Sequence, residues 1–213
     1  MSGTDDLATR LAAELGDGAV ARELAAIVAA DTLTWTAPTI APRRVQTILG
    51  FTFGNRMEAN GNRAPGPVNE ALARLVARLA GESGAPVIAQ WEVAEPAAAL
   101  LAGAKVTPIY PGRDGRGEPV YLSTLGVLEE IARETPPARL GVVGVVAFAD
   151  HMARCVATAR RLGFDAYAPA GYAMPAEYDP LSGQAWCRTR LLYLLHDVTL
   201  RLTERRAAML GGG

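Results

Sequence analysis

The feature that most constrains this chain is a repeated alternation of two periods. Short apolar runs that read as strands are each followed by a stretch with apolar residues at helical spacing. The strand candidates are "VQTILGF" (Val45–Phe51), "APVIAQ" (Ala85–Gln90), "KVTPIY" (Lys105–Tyr110), Val142–Phe148 and "FDAYAP" (Phe164–Pro169). Pro67 opens a helix carrying Val68, Leu72, Leu75, Val76 and Leu79 on its inner face. "EPAAALLAG" gives a short helix, Ser123 caps one carrying Leu125, Leu128 and Ile131, and a further helix runs from Met152 to Leu162. A long final helix is expected from about Leu181. Strand, helix and strand in regular succession imply a parallel sheet with right-handed crossovers, covered by helices on both faces. Five parallel strands in the order 3-2-1-4-5 satisfy this pattern. Pro108, which cannot donate to a ladder, then puts the third strand at an edge. Val142–Phe148, with no polar alternation, is expected to be buried on both sides.

Ahead of the first strand, Thr4 reads as an N-cap with Asp5 and Asp6 in an acidic first turn. Leu7, Leu11 and Leu15 then form one helical stripe, and Val20, Leu24, Ile27 and Val28 a second. The expected organisation is an N-terminal helical hairpin over residues 1–40, packed on a three-layer α/β/α, Rossmann-like domain over residues 41–213. A chain of 213 residues suits such a domain, which buries roughly 70% of its extended surface. Its 50% apolar and 20% charged residues fit an ordered fold. A net charge of −1 supplies no overall attraction to nucleic acid or to an anionic membrane, so the expected partner is a small molecule held by a local cluster. Two cysteines make no disulfide framework, no charged-then-apolar leader opens the chain, and the apolar runs fall well short of the ~20 residues of a spanning helix. These features point to the cytoplasm.

In open α/β sheets, ligands bind outside the carboxyl ends of the strands where the strand order reverses, here between strands 1 and 4. The loop leaving strand 1, "GNRMEANGNRAPG", is long for such a connection. It offers Gly54, Asn55, Arg56 and Arg63 as ligand-binding residues, with the forked guanidinium groups suited to phosphate or carboxylate. Asn60 and Asn62 are available for amide contacts or for turn positions. The loop carries neither the Gly-Lys-Ser/Thr of a phosphate-binding loop nor dinucleotide-fingerprint spacing. Opposite it, "GVVGVVAFADHMARC" ends a buried run in Asp150, His151 and Arg154. His151, expected at a helix start, is placed to donate to an anion or exchange a proton. Asp150 is expected to cap the helix or to hold the imidazole. Arg154 is expected to hold a ligand anion, so that Arg154→Ala weakens binding while hardly changing folding. Cys155 stands one turn after His151, as a thiolate partner or a packing residue. Gln90, Trp91 and Glu92 after strand 2, and Ser123 and Thr124 ahead of the next helix, complete the ligand-binding set. Glu92, Glu95, Asp150 and His151 lack metal-ligand spacing, so no metal site is assigned.

"DHMARCVATARRLGFDAYAP" resembles the His-Met-Pro-Arg-Ala block of the YdcF-like (SanA/ElyC) family. "ILGF" with its Arg-containing loop resembles that family's first-strand motif, "YLSTLGVLEE" its Ser/Thr-x-x-x-x-Glu segment and "WCRTRLLYLLHDV" its C-terminal helix. The resemblance spans about Val45 to Leu202. Ala153 stands in place of the family's proline, and Gln90-Trp91-Glu92 in place of a Ser-Gly-Gly turn. The resemblance implies a Rossmann-like fold with a pocket for a nucleotide-like or anionic ligand, and S-adenosylmethionine as a cofactor. Three readings follow. The favoured one is an enzyme, a transferase or hydrolase, acting on a phosphorylated, nucleotide-linked or carboxylated metabolite, with His151 and Asp150 as its catalytic pair. The second is a non-catalytic module binding S-adenosylmethionine or a nucleotide. The third is a scaffold that forms a homodimer through the final helix and the hairpin.

Overall fold

The computed structural model describes residues 3–101, 103, 105–113, 115–116, 120 and 122–211. Ala102 of the short-helix motif and Tyr121 of "YLSTLGVLEE" lie outside the described residues. In chain order the elements are α1 (Gly3–Leu15), α2 (Gly18–Thr32), β1 (Thr39–Ile40), β2 (Thr47–Gly50), β3 (Arg56–Met57), β4 (Arg63–Ala64), α3 (Gly66–Ser83), β5 (Val87–Gln90), α4 (Trp91–Leu100), β6 (Val106–Ile109), α5 (Thr124–Glu134), β7 (Val142–Val146), α6 (Ala149–Arg161), β8 (Asp165–Pro169) and α7 (Arg190–Met209). They form two compact units, one of Met1–Trp35 with Leu194–Gly213 and the other of Thr36–Tyr193. Among the described residues no helix is long and apolar enough to cross a membrane.

In the smaller unit, α1 and α2 pack against each other across a two-residue connection, where Asp17 caps α2 by accepting from Ala19 N and Val20 N at 2.9 and 3.0 Å. Helix α1 begins at Gly3, so Thr4 lies inside it and is not its cap. The buried seam of α2 is Ala21 and Ala25, while Val20 and Leu24 are exposed. Of the expected stripe, Val20 and Leu24 are therefore on the open side and Ile27 and Val28 are half-buried. The C-terminal part of α7 ties down the end of α2 through Arg201, which donates to Thr34 O at 2.8 Å and lies over the Trp35 ring at 4.4 Å, and through Arg205, which pairs with Asp31 at 2.6 Å.

The larger unit is an α/β fold built on a parallel sheet of six strands in the order β1-β8-β7-β2-β5-β6, flanked by helices and consistent with a Rossmann-like α/β/α arrangement. The expected sheet had five strands. A sixth, the two-residue β1, pairs with β8 and occupies the edge that order 3-2-1-4-5 gave to β8, so both count and order differ from expectation. Two residues hydrogen-bonded beside Ala168 and Pro169 carry no periodic signal, which is why the sequence pattern could not reveal them. Strand β6, with Pro108, is at the opposite edge. Strands β2 and β7 are central neighbours, Gly50 opposite Val146. Helices α5 and α6 contribute Val127, Leu128, Ile131, Met152, Val156 and Ala159 to a core with Leu49, Val143 and Val145, and α3 and α4 bury Leu72, Val76, Leu79 and Val93.

Two boundaries move for physical reasons. Helix α6 starts at Ala149, not at Met152, which puts Asp150 and His151 inside its first turn. Helix α7 starts at Arg190, not near Leu181, because the chain before it is held in turns. Asp179 Oδ1 accepts from Leu181 N at 3.0 Å, Ser182 Oγ from Gln184 N at 3.2 Å, and Ser182 O from Arg188 Nε at 2.7 Å.

Candidate functional site

The carboxyl ends of β2 and β7 lead into an aromatic shell. Phe53 stacks on Phe148 with ring centroids 3.8 Å apart. Tyr178 stands edge-on to both at 5.5 and 4.8 Å, and Tyr193 lies 4.7 Å from Phe53. His151 sits edge-on to Phe53 at 6.3 Å. The ends of β2 and β7, where the strand order predicts a crevice, are thus covered by rings from the chain after each strand, from the segment before α7 and from the start of α7, with Phe53, Phe148 and Tyr193 buried. A cavity of about 730 Å³ opens beside this shell between the start of α3 and segment 173–180, with Tyr178 and Asp179 in its wall, a volume within the usual range for small-molecule sites.

His151 is 8% exposed and takes part in a buried polar network with Thr124 of α5, Arg154 of α6 and Tyr193 of α7. Arg154 Nη1 donates to Thr124 Oγ1 at 3.0 Å, Arg154 Nη2 lies 3.1 Å from His151 Nδ1 and 3.4 Å from Tyr193 Oη, Nδ1 is hydrogen-bonded to the Tyr193 hydroxyl, and Nε2 lies 3.2 Å from Thr124 Oγ1. A guanidinium only donates. Nδ1 must therefore accept, which leaves the proton of the neutral ring on Nε2, donating to Thr124 Oγ1. Two donors then converge on the Thr124 oxygen, and its own hydroxyl hydrogen has no acceptor among the described residues. Cys155, fully buried, belongs to the apolar cluster under α6.

Asp150 serves neither of its expected purposes. The cap position of α6 is Phe148, with no side-chain bond to the helix. The Asp150 carboxylate accepts from Arg190 Nε and Nη2 at 2.9 and 3.0 Å and from the Tyr178 hydroxyl at 2.8 Å, so it anchors the start of α7 and leaves the imidazole to Tyr193, Arg154 and Thr124. Burial, with Asp150 beside it, pushes the Tyr178 hydroxyl pKa well up.

On the other side of β2 the long loop is pinned by Asn69, a fully buried residue of α3. Its Oδ1 accepts from Phe53 N at 2.8 Å and Thr52 Oγ1 at 3.0 Å, and its Nδ2 donates to Gly54 O at 2.8 Å and Pro65 O at 2.7 Å. Gly54 has φ +70°, and a Cβ there would stand 2.4 Å from Ser182 Oγ, so only glycine fits. Arg56 and Arg63 lie on the antiparallel pair β3–β4, whose tip is a turn closed by Asn60 Oδ1 accepting from Asn62 N at 2.8 Å. Arg56 forms a two-pronged pair with the buried Asp179 at 2.8 and 2.9 Å, which holds that carboxyl below its ordinary range. Arg63 is exposed. Gln90 accepts from Thr52 N at 3.1 Å, a role in loop support, and Trp91 is half-buried at the start of α4. Ser123 caps α5, as expected, by accepting from Gly126 N at 3.1 Å.

Glu92, in the first turn of α4, is 6% exposed, and its Oε2 is buried with no hydrogen-bond partner. The buried Asn55 side chain and the charge of Arg63 both favour the ionised carboxyl group. Burial outweighs both and pushes its pKa up to about 7.

The expected residues therefore fall into separate groups: Thr124, His151 and Arg154 in one network, Glu92 apart from it under the electrostatic influence of Asn55 and Arg63, with Asp150 and Arg56 committed to ion pairs. Asn69, Asp179, Tyr178 and Tyr193 were not anticipated. A lone asparagine beside Val68 on an otherwise apolar helical stripe was the one signal that pointed to Asn69. Among the described residues no group of three or more His, Cys, Asp or Glu side chains is placed to hold a metal ion. Comparison with family models, with curated proteins and with solved structures finds no match to this chain.

Proposed function

We propose that this chain is an enzyme of the YdcF-like kind its motifs resemble, acting in the cytoplasm on a small anionic metabolite at the carboxyl ends of its central strands. The observation that supports the reading most is the buried Thr124–His151–Arg154–Tyr193 network. Taking a guanidinium out of water costs several kcal/mol, and well-packed apolar residues often replace such groups without loss of stability. A network kept at the strand ends despite that cost fits a role in chemistry. Two donors on Thr124 Oγ1 leave its hydroxyl hydrogen to a third partner. Thr124 also opens α5, where free backbone N–H groups and the positive end of the helix dipole favour an anion.

One observation favours a second reading, a non-catalytic module for S-adenosylmethionine or a nucleotide. With Arg154 donating to Nδ1, His151 keeps its proton on Nε2 and does not act as a base toward Thr124. A thermal-shift measurement with AMP, glucose 6-phosphate and S-adenosylmethionine, on the wild type and on Thr124→Val, tests the site shared by both readings. Binding at 100 times Kd adds about 2.7 kcal/mol of stability. Stabilisation of the wild type by a probe, lost in Thr124→Val, is the expected result. No shift with any probe overturns the proposal. Turnover of the stabilising probe decides between enzyme and binder.

A further inference from the structure

We propose that Glu92 is the proton-exchanging group of this site, a buried carboxylic acid that gives its proton to a ligand atom placed against Oε2 and takes it back in the return step. The inference rests on the small-molecule site proposed above and adds to it the group that does acid–base work.

The geometry is specific. Glu92 is 94% withdrawn from solvent, yet Oε2 meets no donor, although buried polar atoms in folded proteins are almost always paired. An ionised carboxylate in that position carries an uncompensated penalty, whereas a neutral acid carries far less. The group sits in the first turn of α4, two residues beyond the end of β5, which is the strand beside β2. It is therefore at the carboxyl edge of the sheet, where ligands of such folds bind. Asn55, from the loop after β2 and itself buried, favours the charged form of the carboxyl group. The charges that act on Glu92 are Arg63 from β4, which favours the anion, and Glu95 one turn along its own helix, which opposes it. In the step itself the Oε2–H bond breaks and its electron pair stays on the carboxylate. The proton bonds to a basic or leaving atom of the ligand, and Asn55 and Arg63 stabilise the anion left behind until it is reprotonated. A group that ionises near neutral pH matches this task, because both of its states are accessible at little cost.

Two measurements on the intact chain test this. Carbon-13 NMR of carboxyl-labelled glutamate, with the Glu92 resonance identified by its absence in Glu92→Gln, should give a midpoint near neutrality, moved upward in Arg63→Ala. Arg63 is exposed, so that variant keeps the fold. Calorimetry with AMP, glucose 6-phosphate and S-adenosylmethionine, in two buffers of different ionisation heat, should show proton exchange on binding that is lost in Glu92→Gln. A midpoint in the ordinary carboxylate range, or equal proton exchange in both proteins, overturns the role of Glu92 alone. Absence of binding by every probe overturns the small-molecule site, and the role falls with it.

Discussion

Arg154→Ala tests whether the polar network is part of the framework. Arg154 is 5% exposed, and its two amino groups reach Thr124 Oγ1 at 3.0 Å, His151 Nδ1 at 3.1 Å and Tyr193 Oη at 3.4 Å. Hydrogen bonds from a charged donor contribute about 1.5–3 kcal/mol each. Truncation also opens a void, while the lost desolvation cost of the guanidinium offsets part of the damage. The expected net destabilisation is roughly 2–4 kcal/mol, within the range for breaking a buried network. At roughly 2–4 °C per kcal/mol for a chain of this size, Tm should fall by about 4–16 °C. The sequence alone led to the opposite expectation, that folding would hardly change. Urea unfolding should show a lower midpoint at unchanged slope. The exposed Arg63→Ala serves as control, with an expected change within ~0.5 kcal/mol. An Arg154→Ala effect no larger than that of the control would refute the reasoning, as would a cycle with Thr124→Val showing less than ~0.5 kcal/mol of coupling.

Arg56→Ala should remove acid-sensitive stability. The pKa of Asp179 is lowered by Arg56, so the pair stabilises the fold above the ordinary carboxylate range and loses its effect as pH falls through the depressed value, and Tm curves of wild type and variant should converge in acid. Gly54→Ala meets both a left-handed φ of +70° and Ser182 Oγ at 2.4 Å, and should destabilise by about 1–3 kcal/mol in urea. Glu92 has the opposite sign to Asp179. Its folded pKa is raised from 4.5 to about 7, so its contribution is complete below the lower value and is lost as pH rises through the upper one, and Glu92→Gln should flatten the decline in Tm across that window.

The main strands were legible because β2, β5, β6, β7 and β8 are apolar runs flanked by helical periodicity, and Pro108 marked its own edge. The pairing of β1 with β8 was not legible, since two residues held by backbone hydrogen bonds leave no side-chain pattern. At the site, the stretch from Asp150 to Arg154 marked a real concentration of polar side chains but not their partners. Tyr193 is 42 residues from His151, and the pairs Arg56–Asp179 and Asp150–Arg190 close only when the chain before α7 returns to the sheet. Long-range ion pairs of this kind decide whether an arginine is available to a ligand, and spacing along the chain is silent about them. Glu92 was visible only as an acid following a strand, and its distinctive property, an orphaned oxygen, depends on packing.

Burial also redistributes the chemistry between the two sides of β2. Arg154 can only donate, so its position beside Nδ1 fixes the imidazole in one tautomer, and Tyr193 and Thr124 hold the ring at both nitrogens. A ring fixed in this way is a rigid donor array and a poor proton shuttle, because moving its proton would set Nδ1–H against the guanidinium. Glu92 has the converse properties. One of its oxygens has no partner, and its two ionisation states lie close in free energy near neutral pH. In the proposed enzyme, anion recognition therefore belongs to the β7 side, with Thr124 and the start of α5. Proton transfer belongs to the β5 side, and the pH dependence of any turnover should follow the carboxyl of Glu92 in preference to the imidazole of His151.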